Sequence, residues 1–493
     1  MRILLASGEV HPYSKTGGLA DMAGALATAL ASRGHQVGLV TPLYRGIREQ
    51  YSKLKRLKWE LDLPLGGSRV QAQVWTLNPV RGLTIYFIEQ PEFFDRSGLY
   101  QEMNMDFPDN DARFVFFSKA VTNLARHLPW QPEIVHVHDW QAGLVPLFIA
   151  HQKWREGWGK APRTVLTIHN LAYQGNFPAS GYPLTNLPWD YFQPNGAEFY
   201  GGFSCLKAGI AYADFVTTVS PRYAREITTK EFGCGLDGVL RKRQDALVGI
   251  LNGVDYAEWN TTKNPCLKHS FSLQDLDGKM ACKLDVQAEL GLPVNAATPL
   301  FANITRLVEQ KGVDILLGAL EEMLAAEMQF VLLGSGSPVF EAACRELAAR
   351  HPSQFAARIG YDHALSHRIE AGSDFYLMPS RFEPCGLNQM YSLRYGSIPI
   401  VRATGGLDDT ITDINQDPDS ANGIKFHDPS VHALAKAVRK ALVLYQNPKL
   451  TRFFQFNGMS ADFSWQRTTE IYLDLYAQAI SRGAASGTTV LPS

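Results

Sequence analysis

The chain has 493 residues, 45% of them hydrophobic and 19% charged, which is too long for one core and too apolar for a disordered chain. Lys+Arg 47 balance Asp+Glu 48 for a formal net charge of -1, which excludes a global attraction for nucleic acid or an anionic membrane. No apolar run reaches the ~18 residues of a membrane span, and the six cysteines have no C-x-x-C spacing. The start Met1–Ala6 turns polar too early for a signal peptide, so a cytoplasmic protein with reduced thiols is expected.

Near-continuous apolar runs at Arg2–Ser7, Gln36–Thr41, Leu83–Glu89, Ile134–His138, Arg163–Ile168 and Asp214–Val219 predict strands buried on both faces. Helices are predicted between them over Leu19–Ser32, Asp109–His127 and Ala142–Trp154. The rhythm restarts after Asn252-Gly253-Val254-Asp255, with strands at Pro299–Thr305, Gln329–Leu333, Phe355–Ile359, Phe375–Met378 and Ile398–Val401. This predicts an α/β fold of two Rossmann-like, doubly wound domains, 1–247 and 248–462. An irregular stretch is expected over Glu258–Lys279, an amphipathic helix within 463–482 returning to the first domain, and a flexible tail at 483–493. Ligands of open α/β sheets bind beyond the carboxyl ends of strands, so a cleft between the two domains is the expected site.

Six motifs sit at such strand ends. Ser14-Lys15-Thr16-Gly17-Gly18-Leu19-Ala20-Asp21 opens a helix with two glycines and a cation, although it is neither a Walker A loop nor G-x-G-x-x-G. His136-Val137-His138-Asp139-Trp140 and Thr167-Ile168-His169-Asn170 place Asp139 and His169 where they can hydrogen-bond a polar substrate such as a sugar. His136 and His138 are expected on opposite faces of their strand, which argues against a shared metal ion. Arg306 and Lys311, in Thr305-Arg306-Leu307-Val308-Glu309-Gln310-Lys311-Gly312, can converge on a diphosphate. Pro379-Ser380-Arg381-Phe382-Glu383-Pro384-Cys385-Gly386-Leu387 sets a carboxylate beside a helix start reaching Asn388, and Ala403-Thr404-Gly405-Gly406-Leu407 repeats the strand–glycine–helix pattern. Each motif alone is as well explained by an ordinary turn, a core histidine or a solvated charge. Together they point to a nucleotide-sugar or phosphosugar site.

In this order the motifs resemble those of bacterial glycogen synthases and plant starch synthases, glucosyltransferases of the GT-B fold, over essentially the whole chain. The signature residues are Lys15-Thr16-Gly17-Gly18-Leu19, Gly249–Asp255, Arg306, Lys311-Gly312, Glu383-Pro384-Cys385-Gly386-Leu387 and the Trp465 helix. The resemblance implies glucose transfer from ADP-glucose to the non-reducing 4-OH of an α-1,4-glucan, glycogen or a maltooligosaccharide primer, with retention and with neither metal nor pyridoxal phosphate. It implies catalytic roles for Arg306, Lys311, Glu383, His169 and Lys15. Donor contacts are implied for Lys15, Gly17, Gly18, Arg306, Lys311, Tyr361, Glu383, Cys385, Gly386, Leu387, Asn388, Thr404, Gly405 and Gly406, and sugar or acceptor contacts for Asp21, Asp139, His169, Asn170 and Asn252. Ala302, His363, Asn388 and Tyr391 depart from the family's usual residues, and Ala302 is expected to crowd the backbone near the sugar. A transferase using UDP-glucose or another acceptor, a phosphorylase and a non-catalytic glucan-binding relative stay open as alternatives.

Overall fold

The computed structural model describes residues 1–103 and 105–485. It divides into two compact units, one made of Met1–Val219, Ala224–Ile250 and the chain from Trp465, the other of Ser220–Tyr223 and Leu251–Ser464.

The first unit is built on a nine-stranded sheet. Its spatial order is Leu247–Gly249, Phe215–Thr218, Arg163–Ile168, Ile134–His138, Arg2–Ala6, Gln36–Pro42, Leu83–Glu89, Ser68–Leu77, Lys55–Leu65. Pairing is parallel from Leu247–Gly249 as far as Leu83–Glu89, and the expected strands are those that read as continuous apolar runs.

The edge hairpin Lys55–Leu65/Ser68–Leu77 is an addition, antiparallel within itself and to Leu83–Glu89. Its first strand buries only Leu61, Leu63 and Leu65 on one face and exposes Asp62 and Pro64 between them. That is the period-2 signature of a half-buried strand, and a search for continuous apolar runs passes over it.

Helix Gly18–Ser32 packs against the long helix Trp465–Ala485, which buries Tyr472, Leu475, Tyr476 and Ala479. Arg33 ties the two by donating to the Gln466 carbonyl and to Glu470. The last helix runs through Ala485, into the stretch expected as tail, and the rest of that stretch, residues 486–493, lies outside the described residues. The helix expected from Ala142 starts at Val145, because Trp140–Ala142 forms a single 3-10 turn and Pro146 fits only a helix's first turn.

The second unit has a six-stranded, all-parallel sheet in the order Phe355–Ile359, Gln329–Gly336, Leu300–Leu307, Phe375–Met378, Ile398–Arg402, Ile424–Phe426. Successive residues feed two cores. Phe301, Phe330, Leu332, Phe375 and Leu377 enter one, and Ala302, Val331, Leu333, Tyr376 and Met378 enter the other. Ala302 is thus a fully buried mid-strand residue opposite Val331 and Tyr376, which corrects the expectation that it crowds a ligand-facing loop. Four cysteines are buried, Cys266 is half-buried and Cys234 exposed, all as free thiols. No described helix is long and apolar enough to cross a membrane.

Candidate active site

In the first unit the chain leaves strand Arg2–Ala6 and turns back into helix Gly18–Ser32. Gly17, with φ -155, occupies the N-cap, so neither it nor Gly18 is demanded by backbone strain. A Cβ on Gly18 would meet no protein atom within 4 Å, so the room these glycines leave lies on the outside of the loop. Lys15 Nζ lies 2.7 Å from Asp21 Oδ2, one helical turn into that helix.

Beneath them Glu9, a residue the sequence reading missed, is 3% exposed. Its carboxylate accepts from the Thr16 hydroxyl at 2.8 Å and from the Thr16 backbone N–H. Burial pushes its pKa up, against the hydrogen bonds from Thr16 and Gly17. Its only sequence signal was its place three residues past a strand end.

Asp139 follows strand Ile134–His138 with φ 54 and ψ -168, a region almost reserved for glycine. It is held there by its N–H to the Thr167 carbonyl at 2.9 Å and by accepting the His169 N–H at 2.7 Å. Burial lifts its carboxyl to about 7.

The expectation that His136 and His138 face opposite sides is corrected: residues two apart share a strand face, and their ring centroids lie 4.4 Å apart. His136 spends both nitrogens on the core, with Tyr476 Oη at 2.7 Å and Thr167 Oγ1 at 2.6 Å. His138 Nδ1 meets His169 Nε2 at 3.2 Å. Burial depresses His136 and His169 to about 3, so these are neutral imidazoles at physiological pH. Asn170 is half-buried, and its side chain accepts the Ala172 N–H at 3.0 Å. The first unit therefore gathers three carboxylates, one exposed lysine and neutral imidazoles at its strand ends. This chemistry suits hydroxyl groups better than phosphates.

The second unit has the opposite character. Arg306 ends strand Leu300–Leu307, is exposed, and its guanidinium has no protein partner among the described residues. Lys311 Nζ lies 2.5 Å from Glu383 Oε2, which also accepts from Ser380 Oγ at 3.1 Å. Glycines draw the loops together. Gly312 has φ 67, and a Cβ there would come within 2.0 Å of the Pro379 carbonyl oxygen. Gly405 has φ 46, its Cβ position 1.9 Å from the Glu383 carbonyl oxygen, and the Gly406 position is 2.0 Å from that of Cys385. Lys311, Glu383 and the Thr404-Gly405-Gly406 turn are thus brought together, with Thr404 buried, while Arg306 stands at the end of the strand that leads to Lys311.

Other predicted residues fall differently. The Asn388 side chain is turned onto the sheet, donating to the Ile304 carbonyl at 2.9 Å and to Tyr376 Oη at 2.6 Å. Helices Asn388–Arg394 and Gly405–Thr410 are short, so backbone N–H groups at Gly386 and Leu387, rather than a long helix dipole, are what these turns offer an anion. Burial pushes the Cys385 thiol up to about 12, unfit for a nucleophile. Asn252 lies in this unit, not with Asp21 and Asp139, and its buried Oδ1 has no hydrogen-bond partner among the described residues. Tyr361 is 74% exposed just past strand Phe355–Ile359, a flat ring open to a ligand. Tyr391 stacks on Trp259, with centroids 3.6 Å apart.

Residues 2–242 match the family described as starch synthase catalytic domain, and residues 291–453 match glycosyl transferases group 1. A glycogen synthase of Anaeromyxobacter sp. (strain Fw109-5) is 48% identical over 97% of this chain and 99% of its own length. That of Thioalkalivibrio sulfidiphilus (strain HL-EbGR7) is 45% identical over 98% and 100%. The solved catalytic domain of starch synthase IV from Arabidopsis thaliana, bound to ADP and acarbose, superposes with a TM-score of 0.86 at 34% identity, covering 98% of this chain and 99% of that one. Sucrose-phosphate synthase from Thermosynechococcus elongatus, at 16% identity and TM-score 0.59, shares the fold alone. The chain belongs to the glycogen and starch synthase family and is a glycosyltransferase of the GT-B fold.

Proposed function

We propose that this enzyme moves glucose from ADP-glucose to the non-reducing 4-OH of an α-1,4-glucan, with retention at the anomeric carbon. The observation that carries this reading is the division of chemistry between the units: free and paired cations with a gripping carboxylate in one, carboxylates and neutral imidazoles in the other. The relative bound to ADP and acarbose supports the same pair of ligand classes.

Arg306 and Lys311 hold the diphosphate, Tyr361 carries the adenine, the backbone at Gly386 and Leu387 donates to phosphate oxygens, and the Thr404-Gly405-Gly406 turn sits by the distal phosphate. Glu383 accepts from donor glucose hydroxyls. Asp21, Asp139, His169 and Asn170 hydrogen-bond sugar hydroxyls, and Lys15 with the open Gly17-Gly18 turn faces the glucosyl phosphate. As the bond from C1 to the phosphate oxygen breaks, negative charge grows on the departing diphosphate. Cations already in place stabilise that charge more in the transition state than in the ground state. Retention proceeds by front-face attack, the leaving phosphate taking the acceptor proton. The buried Cys385 thiol has no nucleophilic part in it.

The test is a donor competition on a glycogen primer with labelled ADP-glucose and UDP-glucose. Faster incorporation from ADP-glucose is expected. Faster incorporation from UDP-glucose overturns the donor assignment, and no incorporation from either overturns the reaction.

A further inference from the structure

Beside Tyr361, Glu258, His363 and His367 of the second unit, none of them assigned a role above, bring one carboxylate and two imidazoles together. Their candidate ligand atoms all lie within 4.8 Å of one another. His363 and His367 are one turn apart on helix His363–Gly372, with ring centroids 4.7 Å apart. Their Nε2 atoms lie 3.8 and 4.0 Å from Glu258 Oε1. A separation of 4.0 Å is too long for a hydrogen bond.

A second, independent observation concerns how His367 is held. Its side chain is 1% exposed. Nδ1 lies 2.9 Å from Tyr395 Oη and 3.1 Å from Asn264 Nδ2, and Asn264 also donates to Tyr395 Oη at 2.8 Å. Trp259 stacks on the ring at 4.1 Å and 26°. The imidazole is therefore locked with Nδ1 anchored inside and Nε2 turned toward Glu258. The tyrosine hydroxyl can accept an Nδ1 proton, which leaves the Nε2 lone pair for an ion. This is the arrangement by which outer partners orient metal-ligating histidines.

A tetrahedral ion with bonds of about 2.0–2.2 Å holds its ligand atoms roughly 3.3–3.6 Å apart. The exposed side chains of Glu258 and His363 need to close by only about 1 Å to reach that spacing. Two imidazoles and a carboxylate suit zinc and similar transition-metal ions, whereas Mg²⁺ and Ca²⁺ prefer all-oxygen sites.

We propose that Glu258, His363 and His367 bind one divalent transition-metal ion of the zinc type, with water completing the shell. The ion fastens the segment carrying Glu258 and Trp259 to the start of helix His363–Gly372. The site also adjoins Tyr361, whose hydroxyl lies 3.4 Å from His363 Nδ1. The proposal does not depend on Tyr361 carrying adenine, and it assigns the ion no part in the transfer step.

The test uses the full chain, stripped with chelator and titrated with Zn²⁺ against a chromogenic competitor, with Co²⁺ absorption as a second readout. One ion per chain is expected. His363→Ala and Glu258→Gln, both at exposed positions, are each expected to weaken binding at least tenfold and to abolish the tetrahedral Co²⁺ spectrum. Tyr395→Phe, which keeps all three ligands, is expected to weaken it by about 10-fold or more. Absence of stoichiometric binding, or binding unchanged in both His363→Ala and Glu258→Gln, overturns the proposal.

Discussion

Lys311 Nζ and Glu383 Oε2, 2.5 Å apart, join two strand-end loops that are 72 residues apart in sequence. The lysine is thereby aimed, and the buried carboxylate has a cationic partner. Lys311→Ala and Glu383→Ala are each expected to lower kcat by roughly 10²–10³-fold. The double variant should cost little more than the worse single, because residues acting as one unit are not additive. Initial rates on a glycogen primer measure this. Near-normal rates in both single variants would remove the pair from the active site.

The exposed Arg306 side chain makes no hydrogen bond or ion pair among the described residues, so its replacement tests ligand binding with little folding effect. Arg306→Ala is expected to leave stability within about 0.5 kcal/mol while reducing kcat/KM by roughly 10²-fold or more. Arg306→Lys should recover only part of the loss, since a point charge does not replace a planar fork. Urea unfolding alongside steady-state kinetics separates the two effects, and a large stability loss would reveal a structural role.

Two glycines that look alike in sequence should behave in opposite ways. Gly405→Ala forces a side chain at φ 46 into a space 1.9 Å from the Glu383 carbonyl oxygen and should destabilise the protein by about 2 kcal/mol or more. Gly18→Ala meets nothing within 4 Å and should leave the melting temperature unchanged or raise it, while activity falls as the methyl enters ligand space. Thermal melts and rates on the two variants check this, and full activity in Gly18→Ala would place the ligand elsewhere.

Burial lifts the Asp139 carboxyl from its ordinary 3.8 to about 7. Between those values the native state holds a proton that the unfolded chain has lost. The stability Asp139 contributes is therefore complete below about pH 4 and drains away as pH rises through about 7. In Asp139→Asn that pH-dependent loss is absent. Its unfolding free energy relative to wild type should climb across this window and level off above it. Parallel stability profiles for the two proteins would show that the carboxyl titrates normally.

Most of the fold was legible because the central parallel strands bury both faces, and such strands read as unbroken apolar runs in Ile134–His138 or Phe375–Met378. The one-faced hairpin Lys55–Leu65/Ser68–Leu77 was not, since only alternate residues are apolar. Among candidate site residues, Arg306, Lys311 and Glu383 were visible as charges at strand ends. Glu9 was not, because nothing local distinguishes a buried carboxylate from a solvated one.

Local patterning along the chain was enough to specify the two α/β units, the loops that end their strands and the residue types at those ends. Backbone hydrogen bonding and apolar periodicity are local properties, written into neighbouring residues. Packing of distant segments set which charges are paired and which are open: Lys311 with Glu383, Lys15 with Asp21, Arg306 with none among the described residues. It also set the charge states of Asp139 and His169, since desolvation depends on what the whole chain packs around them. The same packing turned Asn388 onto the sheet and locked His367 against Trp259, relations between residues that no local pattern contains.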